Sequence, residues 1–147
     1  MDCFLSMKLA TNTTKLKSAK HILKNVFGFD QFRSTQQDII DSVLQQRNTL
    51  AIMPTGGGKS LCYQIPAMVF DGLTIVISPL ISLMQDQVRQ LVELDIPAVV
   101  LNSALTTDVY QDNIASLKDG KIKLLFLAPE TALQPAILSL LQSINVP

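Results

Sequence analysis

Tryptophan is missing from the 147 residues, histidine occurs once, cysteine twice, and only 16% of the chain is charged. Cys3 and Cys62 lie far apart and outside any CxxC spacing, so neither a disulfide framework nor a zinc knuckle is available. His21 stands alone and reads as a helix-face residue, so any metal must enter through oxygen ligands and phosphates. The most apolar uncharged stretch, residues 72–85, is interrupted by Ser78, Pro79 and Ser82 and falls short of the ~18 apolar residues that span a bilayer. No transmembrane helix and no membrane partner are expected. Asp2 occupies the place where a signal peptide carries basic residues, and no small-residue cleavage pattern follows, so the expected location is cytoplasmic. Net charge is also lacking: 12 basic residues balance 12 acidic ones, which removes a general electrostatic drive toward nucleic acid. The balance is uneven, since residues 1–25 hold five lysines against one aspartate. That run reads as a solvated basic helix face in preference to a DNA-binding arm.

What the chain has in quantity is apolar surface. Hydrophobic residues make up 48% of it, enough for a buried core in one domain of ordinary size. Leu16, Ala19, Ile22, Leu23 and Val26 recur at helical spacing and Gly28 follows as a stop, which predicts a first helix ending near Phe27. Ser34 and Gln37 have capping-box spacing and predict a second helix with an inner face of Ile39, Ile40, Val43 and Leu44. Short runs rich in Ile, Val and Leu then follow at 49–53, 73–77, 98–101 and 123–127. They lack alternation, as strands do when helices cover both faces of a parallel sheet. Helical patterns separate them at 59–70, 81–94, 108–118 and 131–143. The expected fold class is therefore α/β, a parallel sheet flanked by helices and preceded by a helical segment.

The first of those runs leads into Met53-Pro-Thr-Gly-Gly-Gly-Lys-Ser60. Gly56, Gly57 and Gly58 can take positive φ and bring backbone amides close to phosphate oxygens, and the helix that follows adds its dipole. Together with Thr55 they form an anion cradle. Lys59 would reach the outer phosphates of ATP as a point charge, and the Ser60 hydroxyl would ligate the Mg²⁺ that bridges them. Met53 occupies the place of the first glycine in G-x-x-x-x-G-K-[ST], a departure that removes little phosphate contact. Hydrolysis also needs carboxylates at a strand end. Glu130 follows a strand, but Ala128 and Pro129 intervene and no Asp precedes it, so it is rejected as a metal ligand.

Several blocks taken together resemble the RecQ family of superfamily 2 DNA helicases: Phe27-Gly-Phe-Asp-Gln-Phe-Arg-Ser-Thr-Gln36, Met53 to Ala67, Ile77-Ser-Pro-Leu-Ile-Ser-Leu-Met-Gln-Asp-Gln87, Leu101-Asn-Ser103 and Leu125-Phe-Leu-Ala-Pro-Glu130. The resemblance implies a P-loop NTPase (RecA-like) fold and an ATP-driven 3′-to-5′ DNA-unwinding enzyme acting in repair and recombination, located at the nucleoid or in the nucleus. Its partners would be ATP and single-stranded or partially duplex DNA. It implies that Lys59 is the catalytic lysine, that Arg33 and Gln36 hydrogen-bond the adenine edge, and that Phe29, where the family often has tyrosine, stacks on its face. It implies strand contacts at Ser78, Pro79 and Leu80, at Asn102 and Ser103, and at Pro129 and Glu130. Thr131 departs from the basic residue the family usually has after Pro-Glu. Cys62, Tyr63 and Gln64 are read as structural.

On the same resemblance, residues 1–14 are an N-terminal extension expected to be poorly ordered, and 15–147 form part of the first RecA-like domain. The chain would stop before the Asp-Glu-Ala-His block, the second domain with its arginine finger and the family's zinc module. The expectation is a fragment with unpaired sheet edges that binds nucleotide weakly and does not turn it over. Two other readings stay open: a standalone nucleotide- or DNA-binding module without turnover, and a small P-loop kinase.

Overall fold

A computed structural model describes residues 2–147, with side chains from residue 14 onward, and the chain divides after Phe70 into two compact units. The first unit is helical. Helix α1 (Asp2–Asn25), helix α2 (Ser34–Leu44) and helix α3 (Leu61–Val69) close around Ala19, Leu23, Ile40, Leu44 and Ile65. Ala19, Leu23, Ile40 and Leu44 come from the two stripes that the helical periodicity marks, so the spacing of apolar residues locates this core directly. Gly28, with φ of 75°, turns the chain after α1, and the Phe29 amide donates to the Leu23 carbonyl at 3.1 Å. Lys15 lies over the Phe70 ring, 5.3 Å from its centroid, which fastens α1 to the end of α3. For residues 1–14, read as an extension, the description covers the helical backbone path from Asp2; all but one of their side chains lie outside the described residues.

Two expectations fail in this unit. Residues 49–53 form no strand: they take no ladder partner, and Leu50 and Ile52 stand 89% and 88% exposed. A strand exists only through hydrogen bonds to a neighbour, and local β propensity cannot supply one. The capping residue of α2 is also one position earlier than expected. Ser34 is already the first helical residue, and Arg33 is the cap, its amide donating to Gln36 Oε1 at 3.0 Å.

The second unit is the α/β part. Strands β1 (Thr74–Ile77), β2 (Ala98–Leu101) and β3 (Leu124–Leu127) form a parallel sheet in the order β1-β3-β2. Its helices are α4 (Ile81–Glu93), α5 (Thr107–Lys118), α6 (Pro129–Ala132) and α7 (Pro135–Gln142). All four residues of β3 are buried, as an unbroken apolar run should be in the central strand of a covered parallel sheet. Leu125 and Leu127 join Leu73, Leu101, Leu117, Ile137 and Leu140 in the core, and edge strand β1 leaves Ile77 59% exposed. The helix expected over 131–143 is two helices. Pro135 clashes with a helical residue before it, and Gln134 is accordingly extended (φ −66°, ψ 133°) and opens α7. The fold class expected from the sequence, a parallel sheet flanked by helices, is the one found.

Candidate functional site

The glycine turn of the first unit has the backbone geometry that an anion cradle requires. Gly57 donates its amide to the Pro54 carbonyl at 3.1 Å and closes a tight turn. Gly56 and Gly58 have φ of 78° and 76°, a region that strains any residue with a Cβ. Gly57 needs to be glycine for a different reason: a Cβ there would stand 2.9 Å from the Pro54 carbonyl oxygen. The next three amides, those of Gly58, Lys59 and Ser60, donate to no backbone carbonyl among the described residues. Consecutive unengaged amides in a turn running into a helix form the concave donor set that phosphate binds. Thr55, Gly56 and Lys59 are exposed, and no ion pair among the described residues engages the Lys59 ammonium.

Ser60 sits half-buried at the N-cap position of α3. Burial pushes the Tyr63 phenol above its ordinary pKa, and hydrogen bonds with Ser60 and Gln64 partly offset that rise. Cys62, free and buried beside the loop, has its thiol pKa raised by desolvation. Its Sγ lies 3.8 Å from Met53 Sδ. A thiol held protonated in this way is a packing residue, without nucleophilic character.

Arg33 and Gln36 are tied to the same loop. Arg33 Nη1 donates to the Gly56 carbonyl at 2.8 Å, and Gln36 Nε2 donates to the carbonyls of Gly58 at 3.1 Å and Gly57 at 3.4 Å. With Oε1 accepting from the Arg33 amide, the buried Gln36 amide is engaged at both ends. The start of α2 therefore pins the outer side of the cradle by its carbonyls and leaves the amides facing elsewhere. An adenine that used Gln36 would have to take over hydrogen bonds the loop now holds. Phe29 is 54% exposed.

The second unit gathers the other candidates by topology. Ile77, Leu127 and Leu101 are level in the ladder, so the chain leaves all three strands at one edge of the sheet. Ser78, Pro79 and Leu80 follow β1, Asn102 and Ser103 follow β2, and Pro129 and Glu130 follow β3. The carboxyl edge of a parallel sheet is where ligands of open α/β folds bind. Ser78 receives the Leu80 amide on its Oγ at 3.3 Å, while Pro79 and Leu80 are exposed ahead of α4. Pro129 opens α6 and Glu130 is exposed beside it.

Asn102 is 3% exposed, and its Oδ1 accepts the Ala104 amide at 2.8 Å. Its Nδ2 is buried with no hydrogen-bond partner, an arrangement that costs about 1–3 kcal/mol. It lines a cavity of about 290 Å³ that also takes in Thr107, Tyr110, Thr131 and Gln134. These four are absent from the sequence-derived candidates. A short polar residue directly after an apolar strand was the available signal for Asn102, but the residues that close the cavity come from α5, α6 and the start of α7, which only the fold assembles.

Among the described residues no group of three His, Cys, Asp or Glu side chains comes together to hold a metal, and no helix is long and apolar enough to cross a membrane.

Comparison with known proteins gives a match to the family model described as DEAD/DEAH box helicase over residues 33–145. The chain is 47% identical over 133 residues to the ATP-dependent DNA helicase RecQ of Bacillus subtilis (strain 168), covering 90% of this chain and 22% of that protein. It is 44% identical over 137 residues to the ATP-dependent DNA helicase RecQ of Haemophilus influenzae, covering 93% and 22%. It is 42% identical over 113 residues to the ATP-dependent DNA helicase Q1 of Rattus norvegicus, covering 76% and 18%. The chain thus spans about a fifth of the length of these curated relatives.

Proposed function

We propose that this chain, which belongs to the DEAD/DEAH box helicase family, carries the nucleotide-gripping and strand-facing part of an ATP-dependent DNA helicase of RecQ type. The observation that carries the reading is the run of unengaged amides at Gly58, Lys59 and Ser60 beside an exposed lysine ammonium. Such a set stabilises a polyphosphate by hydrogen bonds to its oxygens, with Lys59 neutralising charge that the amides cannot. Magnesium bound with nucleotide asks little of the protein, since it keeps waters and takes phosphate oxygens. The Ser60 hydroxyl fits the part of its one side-chain ligand. Once bound, the ion would neutralise charge on the phosphates.

The adenine roles of Phe29, Arg33 and Gln36 and the strand contacts at Ser78 to Leu80, Asn102 and Ser103, and Pro129 and Glu130 belong to the same proposal. So do 3′-to-5′ polarity and work in repair or recombination. The level exit of three strands supports the strand-contact part, because it gives a single DNA path access to all three loops. Nucleotide binding without turnover by this segment on its own is part of the same reading. In the complete helicase Lys59→Ala is expected to abolish ATP hydrolysis. Titration of the chain with a fluorescent ATP analogue tests the grip itself: saturable binding lost in Lys59→Ala is expected, and equal binding by both proteins overturns the assignment.

A further inference from the structure

We propose that Tyr63 is a positioning residue for magnesium: its phenol oxygen accepts a hydrogen bond from the Ser60 hydroxyl and so keeps the Ser60 oxygen presented to the ion that accompanies the nucleotide. The inference rests on the reading of Ser60 as the magnesium ligand and deepens it. A serine at the start of a helix ordinarily turns its oxygen onto the amides of the first turn and caps them. Ser60 does not. It stands at the N-cap of α3 in helical conformation, φ −59° and ψ −39°, and its side chain makes no capping bond. Its carbonyl accepts the Gln64 amide at 3.0 Å, so the Ser60 backbone is already bound into the helix. The hydroxyl pairs instead with the Tyr63 side chain, three residues on, the spacing at which two side chains share a helix face. Tyr63 is half-buried, and the buried Gln64 side chain bonds to the phenol as well, so its oxygen is held from two residues.

This arrangement answers a requirement of the ligand. A hydroxyl carries one proton and two lone pairs. When its oxygen binds a cation the proton must point away from the ion, and at a half-buried helix end that proton needs an acceptor. The carbonyls of Gly56, Gly57 and Gly58, just ahead in the chain, already accept from Arg33 and Gln36. The Tyr63 oxygen supplies the acceptor from within α3. A partner of this kind, one bond behind a metal ligand, fixes how the ligand points and tunes its hold on the metal.

The test measures the affinity of the full chain for a fluorescent ATP analogue with saturating magnesium and again with magnesium chelated, and takes the ratio of the two. Tyr63→Phe keeps the ring and removes only its oxygen. It should lower the ratio by about two- to tenfold, the worth of one hydrogen bond, and leave affinity in the chelated sample unchanged. Ser60→Ala should lower the ratio at least as far, and Tyr63→Phe added to it should lower it no further, because the bond it removes is already gone. A ratio unmoved by Tyr63→Phe but lowered by Ser60→Ala overturns the positioning role and leaves Ser60 as the ligand. Equal losses with and without magnesium make Tyr63 a packing residue and overturn the role too. A ratio unmoved by Ser60→Ala overturns the magnesium reading of Ser60, and absence of nucleotide binding in both samples overturns the cradle itself; the part given to Tyr63 falls with either.

Discussion

Replacing Gly58 with alanine tests whether the glycine turn is held open by its own backbone or by the helix beside it. At φ of 76° an alanine costs about 1–2 kcal/mol through contact of its Cβ with the neighbouring carbonyl. The same Cβ would also collide with Gln36 Nε2. Gln36 must then withdraw from the Gly57 and Gly58 carbonyls, leaving a buried amide unsatisfied for roughly a further 1–3 kcal/mol. Gly56 provides the internal control, because its φ of 78° is nearly the same while nothing lies within 4 Å of an added Cβ. Gly56→Ala should therefore show the backbone strain alone, and Gly58→Ala should exceed it by about 1–3 kcal/mol. Urea unfolding followed by far-ultraviolet circular dichroism measures both, and Gln36→Ala in each background completes a double-mutant cycle. Removing Gln36 should cost stability beside Gly56→Ala and almost none beside Gly58→Ala. Equal losses in the two glycine variants, or no coupling between Gly58 and Gln36, would refute the latch between α2 and the turn.

Leu125→Ala, in the central strand, should cost about 2–5 kcal/mol, because nothing beside a fully buried residue in β3 can relax to fill the void; a loss under 1 kcal/mol would place the core elsewhere. Asp30→Ala removes an ion pair with Lys24 whose partners are both largely exposed, and the urea midpoint should hardly move. Cys62 and Tyr63 both have folded-state pKa values raised by burial. Their contribution to stability is intact below the unfolded values, near 9 and 10, and is lost as pH rises beyond them. Unfolding midpoints should accordingly fall on the alkaline side and less steeply in Cys62→Ala, and Cys62 should react with iodoacetamide far more slowly in the folded chain than in urea.

How far the fold could be read from sequence depended on whether the deciding interaction was local. Leu124 to Leu127 could be read as a buried parallel strand because four consecutive apolar residues between turns are consistent with one and a paired neighbour completes it. The three glycines before Lys59 announced a tight turn because positive φ and close approach are properties of the residues themselves. The run at 49–53 carries the same apolar signal as β3 and yet forms no strand, since pairing depends on partners that no local pattern reveals. Gln134-Pro135 did contain the signal for the break between α6 and α7, but helical periodicity on either side masked it. Gln36 illustrates a different limit. The residue was marked as a candidate base reader, and its present hydrogen bonds to the loop some twenty residues away came only with the fold. Asn102 is a candidate through the family resemblance alone, and nothing short of the packed structure exposes the donor it leaves without a partner among the described residues.

The level ends of the three strands also set a length. Neighbouring strands stand about 4.8 Å apart, so the loops leaving β1, β3 and β2 span close to 10 Å from first to last. One strand of DNA advances roughly 3.4 Å per nucleotide in a stacked helix. Under the strand-contact proposal, a strand laid across that edge would meet these loops over about three nucleotides, whatever their sequence, and the spacing of the sheet alone would set that number.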